Sequence, residues 1–140
     1  MPDTQTPEPL LTSLAHGGGC GCKLAPNVLA DILSEMPLAL GSSDLIVDAA
    51  TSDDAAVYRV NETTALVATT DFFTPIVDDP HTFGRIAATN ALSDVFAMGA
   101  KPIFSLAIVG MPIGKISNET IRAILAGGQS VAETAGAPIA

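Results

Sequence analysis

Residues 16 to 23 read HGGGCGCK, a run with four glycines that holds both cysteines of the chain, one of its two histidines and one of its six basic residues. A segment with so few side chains cannot build a packed core, so Cys20, Cys22 and Lys23 on it are available to meet a ligand. An ammonium close to a thiol favours the nucleophilic thiolate, which makes a cysteine beside Lys23 a candidate for covalent chemistry. Two thiols one residue apart do not supply the full tetrahedral set or the CxxC spacing of a structural zinc site. A disulfide closed across a single residue is strained, and a chain with two cysteines and no secretory leader is no disulfide framework. The alternative to a reactive arm is a terminal tail with incidental thiols.

The second chemical signal is acidic. Asp53 and Asp54 precede one predicted strand, Asp71 follows the next, and Asp94 lies within a predicted long helix. Helical spacing puts Ile86, Asn90 and Asp94 along one edge with Phe83, Ala87 and Met98. Asp94 thus falls on an apolar face, where an unpaired carboxylate is costly and a metal ion is a natural partner. Alternatively Asp94 caps a backbone or pairs with Arg85 or Lys101, and Asp53 with Asp54 forms a turn. Gathered at one end of a hairpin and a helix, with no histidine nearby, these carboxylates suit Mg²⁺ rather than zinc. Carboxylate-bound magnesium with a lysine is the equipment of phosphoryl transfer. Neither a GxxxxGK[ST] run nor a GxGxxG run after a strand is present, so the P-loop and Rossmann modes of nucleotide binding are unsupported.

The elements that must position these residues are short. Residues 1–15 are a Pro- and Thr-rich lead with the composition of a disordered segment, and 1–24 together are expected to be a flexible arm. Pro26 to Met36 has helical apolar spacing, and residues 37–52 look like a loop. Ala55–Val60 and Thr64–Thr70 read as a β-hairpin turning around Asn61 and Glu62. His81–Met98 reads as a helix stopped by Gly99, and Ile103–Val109 as an apolar strand. A second long helix is capped by Ser117 or Asn118 and ended by Gly136. The order predicts an α/β (α+β) domain, a three-stranded sheet with helices on one face and with edges that a partner subunit would cover.

At 140 residues and 48% hydrophobic content the chain has the apolar side chains for one domain with a sizeable core. Fifteen acids against six bases give a formal charge of -9, which argues against nucleic acid and anionic membranes as partners. An anionic small molecule remains compatible when a divalent cation accompanies it. The N-terminal MPDTQTPEPLLTSL lacks the charge and apolar run of a secretory leader, and no apolar stretch reaches membrane-spanning length, so the expected location is cytoplasmic.

HGGGCGCK at 16–23, DDAAVY at 53–58, TTDFFTPIVDDP at 69–80, FGRIAATNALSDVFAMGAKPI at 83–103 and the following IVGMPI resemble, in order and spacing, the selenophosphate synthetases (selenide, water dikinases). FGRIAATNALSDVFAMGA alone is similar to the wider group of aminoimidazole ribonucleotide synthetase-like ATP enzymes, and HGGGCGCK narrows the resemblance to the selenium branch. The resemblance implies conversion of selenide, ATP and water to selenophosphate, AMP and phosphate, with Mg²⁺. By position it makes Cys20 the catalytic cysteine and Lys23 a catalytic residue that contacts ATP phosphates. It makes Asp54 and Asp94 magnesium ligands, and Thr51, Ser52, Asp53, Asp71 and Asp94 contacts of the nucleotide site, with Asn90 supporting the metal. It attaches no role to Cys22.

The resemblance also implies an N-terminal half-barrel domain, of which 25–140 is the ATP-binding part, stopping before a fourth strand. Family members continue past the position of Ala140 into a Gly-Gly-His/Gln-Ser/Thr nucleotide contact, a third magnesium aspartate and a C-terminal domain, all absent here. They dimerise by joining the strands of two N-terminal domains, so a homodimer is expected. A truncated, non-catalytic dimerisation or ATP-binding module is the alternative function.

Overall fold

The computed structural model describes residues 7–17, 23–35, 42–49, 53–72, 74–112 and 114–140. Among the described residues three α-helices, α1 (Pro26–Ser34), α2 (Pro80–Ala97) and α3 (Asn118–Thr134), accompany three strands, β1 (Leu45–Val47), β2 (Ala56–Asn61) and β3 (Thr64–Ala68). The strands form one antiparallel sheet in the order β1-β2-β3, which makes the fold α+β as expected.

Local chemistry accounts for the element boundaries. Asp79 caps α2 by accepting the Thr82 N–H at 2.7 Å, and Pro80 follows, where its missing N–H is harmless. Ser117 caps α3 in the same way, accepting the Thr120 N–H at 3.1 Å. Both helices end in a left-handed glycine, Gly99 at φ 70° and Gly136 at φ 72°. The next N–H then folds back on the helix, Ala100 to the Val95 carbonyl at 3.1 Å and Ala137 to the Ala132 carbonyl at 2.8 Å. Between β2 and β3 the turn is Glu62–Thr63, where Asn61 Oδ1 accepts both the N–H and the hydroxyl of Thr63.

Helices α2 and α3 are in backbone contact. A Cβ on Gly84 would fall 1.8 Å from the Ile124 carbonyl oxygen, and one on Gly127 would fall 2.0 Å from that of His81. Glycine at these two positions is therefore what lets the helices approach. The core lies at this pair: Phe83 and Ile124 pack with Leu11, ringed by Val77, Ala87, Met111 and Ile116. The helix pair is covered by the N-terminal segment, and no strand residue contributes to this core.

Four expectations change. Leu11–Leu14 forms a 3-10 turn and Leu11 is 3% exposed, so the described part of the Pro- and Thr-rich lead is held at Glu8, Leu11 and Thr12. Its single deeply buried leucine is too slight a signal to outweigh composition. The 37–52 loop contains β1, too short for alternation to announce it. Ile103–Val109 forms no strand of the sheet; among the described residues it meets the chain end through an isolated parallel bridge from Ser105 to Ile139 and the Ser105 hydroxyl, which donates to the Ala137 carbonyl at 3.1 Å. Its apolar side chains Ile103, Phe104, Leu106 and Ile108 are exposed, because no described strand runs alongside them. The sheet is accordingly β1-β2-β3, and its Tyr58, Val60 and Leu66 are exposed instead of lying under helices.

Candidate active site

Three stretches of chain meet at one edge of α2. Asn90 and Asp94 are four residues apart and so share that edge. Opposite them runs the chain leaving β3. Thr69 donates its hydroxyl to Asp94 Oδ2 at 2.8 Å, and Asn90 donates its amide to Asp71 Oδ2. The third stretch is the N-terminal arm, whose Lys23 ammonium pairs with Asp71 Oδ1. Asp71 is thus the meeting point, with each carboxylate oxygen engaged by a different element.

Burial makes this pairing more than a surface contact. The Asp71 side chain is 12% exposed and that of Lys23 is 32% exposed, so water screens the pair less than on an open face. The Lys23 ammonium also stands 5.5 Å from the centroid of the Phe72 ring, within cation–π range. One turn of chain further, the Thr74 hydroxyl donates to the Gly17 carbonyl, tying the other side of the glycine-rich run to the same stretch.

Of the residues singled out in the sequence, Lys23, Asp71 and Asn90 come together, with Asp94 one helical turn along. Asp94 takes a threonine hydroxyl, not Arg85 or Lys101, as its hydrogen-bond partner. Asp53 and Asp54 lie exposed at the approach to β2, where Asp53 Oδ1 accepts the Asp54 N–H at 3.1 Å, the turn geometry such a pair favours. Among the described residues no three His, Cys, Asp or Glu side chains are gathered as a metal cage. Cys20, Cys22, Thr51 and Ser52 lie outside the described residues.

Sequence reasoning missed Thr69, and it missed two carboxylates that hold the N-terminal segment. Asp78 is kept below the ordinary aspartate range by the Thr12 hydroxyl and N–H. Glu8 is likewise lowered by Thr120 and Ser117 at the start of α3. A threonine hydroxyl or a loop carboxylate has no spacing rule, so neither had a signal to find.

The observation that decides the lineage is that residues 52–140 match the AIR synthase related protein, N-terminal domain, over well more than half the chain. The chain belongs to that family. It is 64% identical over 132 residues to the selenide, water dikinase of Burkholderia ambifaria, covering 94% of this chain and 37% of the relative. It is 61% identical to that of Rhizobium meliloti over 132 residues, 94% of this chain and 38% of the relative. It is 59% identical to that of Paraburkholderia xenovorans over 143 residues, 100% of this chain and 40% of the relative. The chain therefore spans about two fifths of the length of these curated relatives. The resemblance to the N-terminal portion of selenophosphate synthetases is borne out, since it holds at this identity over nearly the whole chain.

Proposed function

We propose that this chain supplies the nucleotide-handling N-terminal part of a selenide, water dikinase, which converts selenide, ATP and water to selenophosphate, AMP and phosphate. The observation that supports it most directly is the pairing of Lys23, from the cysteine-bearing arm, with Asp71 and through it Asn90 of α2. A lysine on that arm, held at the edge of the acidic stretch, can exchange Asp71 for a phosphate oxygen when a polyphosphate is offered. The exchange would draw the arm and its thiols toward bound nucleotide. In this reading Cys20 is the nucleophile that holds or delivers selenium, and Lys23 neutralises charge on the phosphates. Thr51, Ser52, Asp53 and Asp71 contact the nucleotide.

The donor set fits Mg²⁺ brought in with a nucleotide. This ion retains waters and takes one or two carboxylates plus phosphate oxygens, so it needs no cage built from protein alone. Asp94 and Asp54 would hold it, Asp94 with one oxygen oriented by Thr69 and Asp54 exposed. Bound there, magnesium offsets charge on the phosphoryl oxygens.

The exposed apolar residues of β2 and β3 support association of two copies through the sheet. Thiol chemistry of this kind needs a reducing compartment, which makes the cytoplasm the proposed location. Among the described residues no helix is long and apolar enough to cross a membrane.

The test is Cys20→Ser against Cys22→Ser in the full-length protein, with ATP consumption followed with and without selenide. Cys20→Ser should lose selenide-dependent consumption by about 100-fold or more, the scale of removing a covalent nucleophile. Cys22→Ser should stay within a few-fold of wild type. Equal losses would overturn the assignment.

A further inference from the structure

Before the chain reaches its glycine-rich run it is fastened at Glu8, Leu11 and Thr12 to the helix pair and to the stretch that leads into α2. Leu11 is 3% exposed and packs on Phe83 of α2 and Ile124 of α3. Thr12 gives both its donors to a single acceptor, its N–H at 3.0 Å and its hydroxyl at 2.7 Å to Asp78 Oδ1. Glu8 accepts the Ser117 N–H and the Thr120 hydroxyl, placing a carboxylate at the N-terminus of α3, where the helix dipole favours one.

The other side of the run has no comparable platform. Lys23 leads into α1, a helix in which no described residue is buried and in which Val28, Leu29 and Ile32 are 43–46% exposed. Where Lys23 stands is thus decided from the N-terminal side and by its own pairing with Asp71. The attachments share a feature: Asp71, Thr74 and Asp78 all belong to the stretch between β3 and α2; Asp71 and Asp78 accept from Lys23 and Thr12, and Thr74 donates to the Gly17 carbonyl. One piece of chain therefore meets the N-terminal segment at successive points, the two running side by side.

We infer that Thr12 and Asp78 are a positioning pair, which fixes the start of the arm on the stretch leading into α2 and thereby sets where Lys23 meets Asp71. A fixed point at Thr12, eleven positions ahead of Lys23, limits how far the ammonium can stray and so presents it to its carboxylate at a higher effective concentration. The consequence for phosphate binding rests on the function proposed above; the tether itself does not. Asp78 touches neither Lys23 nor the acids of the site in any contact described, so it acts through Thr12 alone. Its role is that of an oxygen acceptor, which an asparagine amide oxygen can fill and an alanine cannot.

Trypsin cleavage after Lys23, followed by mass spectrometry on the intact protein, tests this with Asp78→Ala and Asp78→Asn. Cleavage after Arg122, which lies within α3, serves as the internal measure of global opening. Asp78→Ala should be cut after Lys23 several-fold faster than wild type with the Arg122 rate unchanged, and Asp78→Asn should return to the wild-type rate. The pair is overturned if Asp78→Ala is cut at the wild-type rate, if Asp78→Asn is as fast as Asp78→Ala, or if both sites accelerate together. Adding Mg²⁺ and ATP separates the two readings. Failure of nucleotide to slow cleavage after Lys23 in wild type counts against the proposed function, whereas the comparison of variants without nucleotide decides the tether.

Discussion

Asp71, bonded to Asn90 of α2, and Asp94, one turn along the helix from Asn90, are held by different kinds of partner. Lys23 and Asn90 each engage one oxygen of Asp71, while Asp94 accepts the Thr69 hydroxyl on one oxygen. A neutral donor on one oxygen orients a carboxylate without cancelling its charge, which leaves Asp94 the better placed of the two for a cation. Asp94→Asn should therefore weaken Mg²⁺-dependent nucleotide binding by about tenfold or more, roughly 1.4 kcal/mol, in calorimetric titration. Asp31→Asn on exposed α1 should leave it unchanged. Residue types at this scale were legible in the sequence, with Lys23, Asp71, Asn90 and Asp94 all identified. Their pairing was not, because Lys23 and Asp71 are separated by 48 positions and nothing local links them.

The long helices were legible because each is announced by rules that act within a few residues: apolar spacing, a capping Ser117, a terminating Gly99 or Gly136. What those rules omit is how closely the helices approach. Gly84 and Gly127 permit backbone contact between α2 and α3, whereas a Cβ on Gly128 would meet only the Gly84 carbonyl oxygen at 3.5 Å and the Ala88 Cβ at 3.9 Å. Gly127→Ala should thus destabilise by about 2 kcal/mol or more through forced separation of the helices. Gly128→Ala should be neutral or stabilising by up to about 1 kcal/mol through helix propensity. Thermal unfolding of the two variants side by side checks this, with Tm falling for the first alone. The site depends on that contact, because Asn90 and Asp94 ride on α2.

Over the whole molecule, the described sheet and the 103–109 segment present apolar side chains outward, with Leu106 73% and Ile108 83% exposed. Tyr58 and Leu66 are register partners on β2 and β3, at 44% and 48% exposure, and form one apolar patch. Sedimentation should show self-association at micromolar concentration, and the paired change Tyr58→Lys with Leu66→Lys should shift it toward monomer by about tenfold or more in Kd. A wild-type protein that sediments as a monomer would remove the sheet as the interface. The sequence by itself determined the hairpin, the long helices and the family, since all of these are written in short-range patterns and motifs. Only the tertiary structure decided that Leu11 and Thr12 dock on the helix pair, that β1 rather than 103–109 completes the sheet, and that Lys23 reaches Asp71. Each of these is a contact between distant positions, 66 apart for Thr12 and Asp78, whose stability comes from burial and hydrogen-bond partners that exist only once the chain has folded.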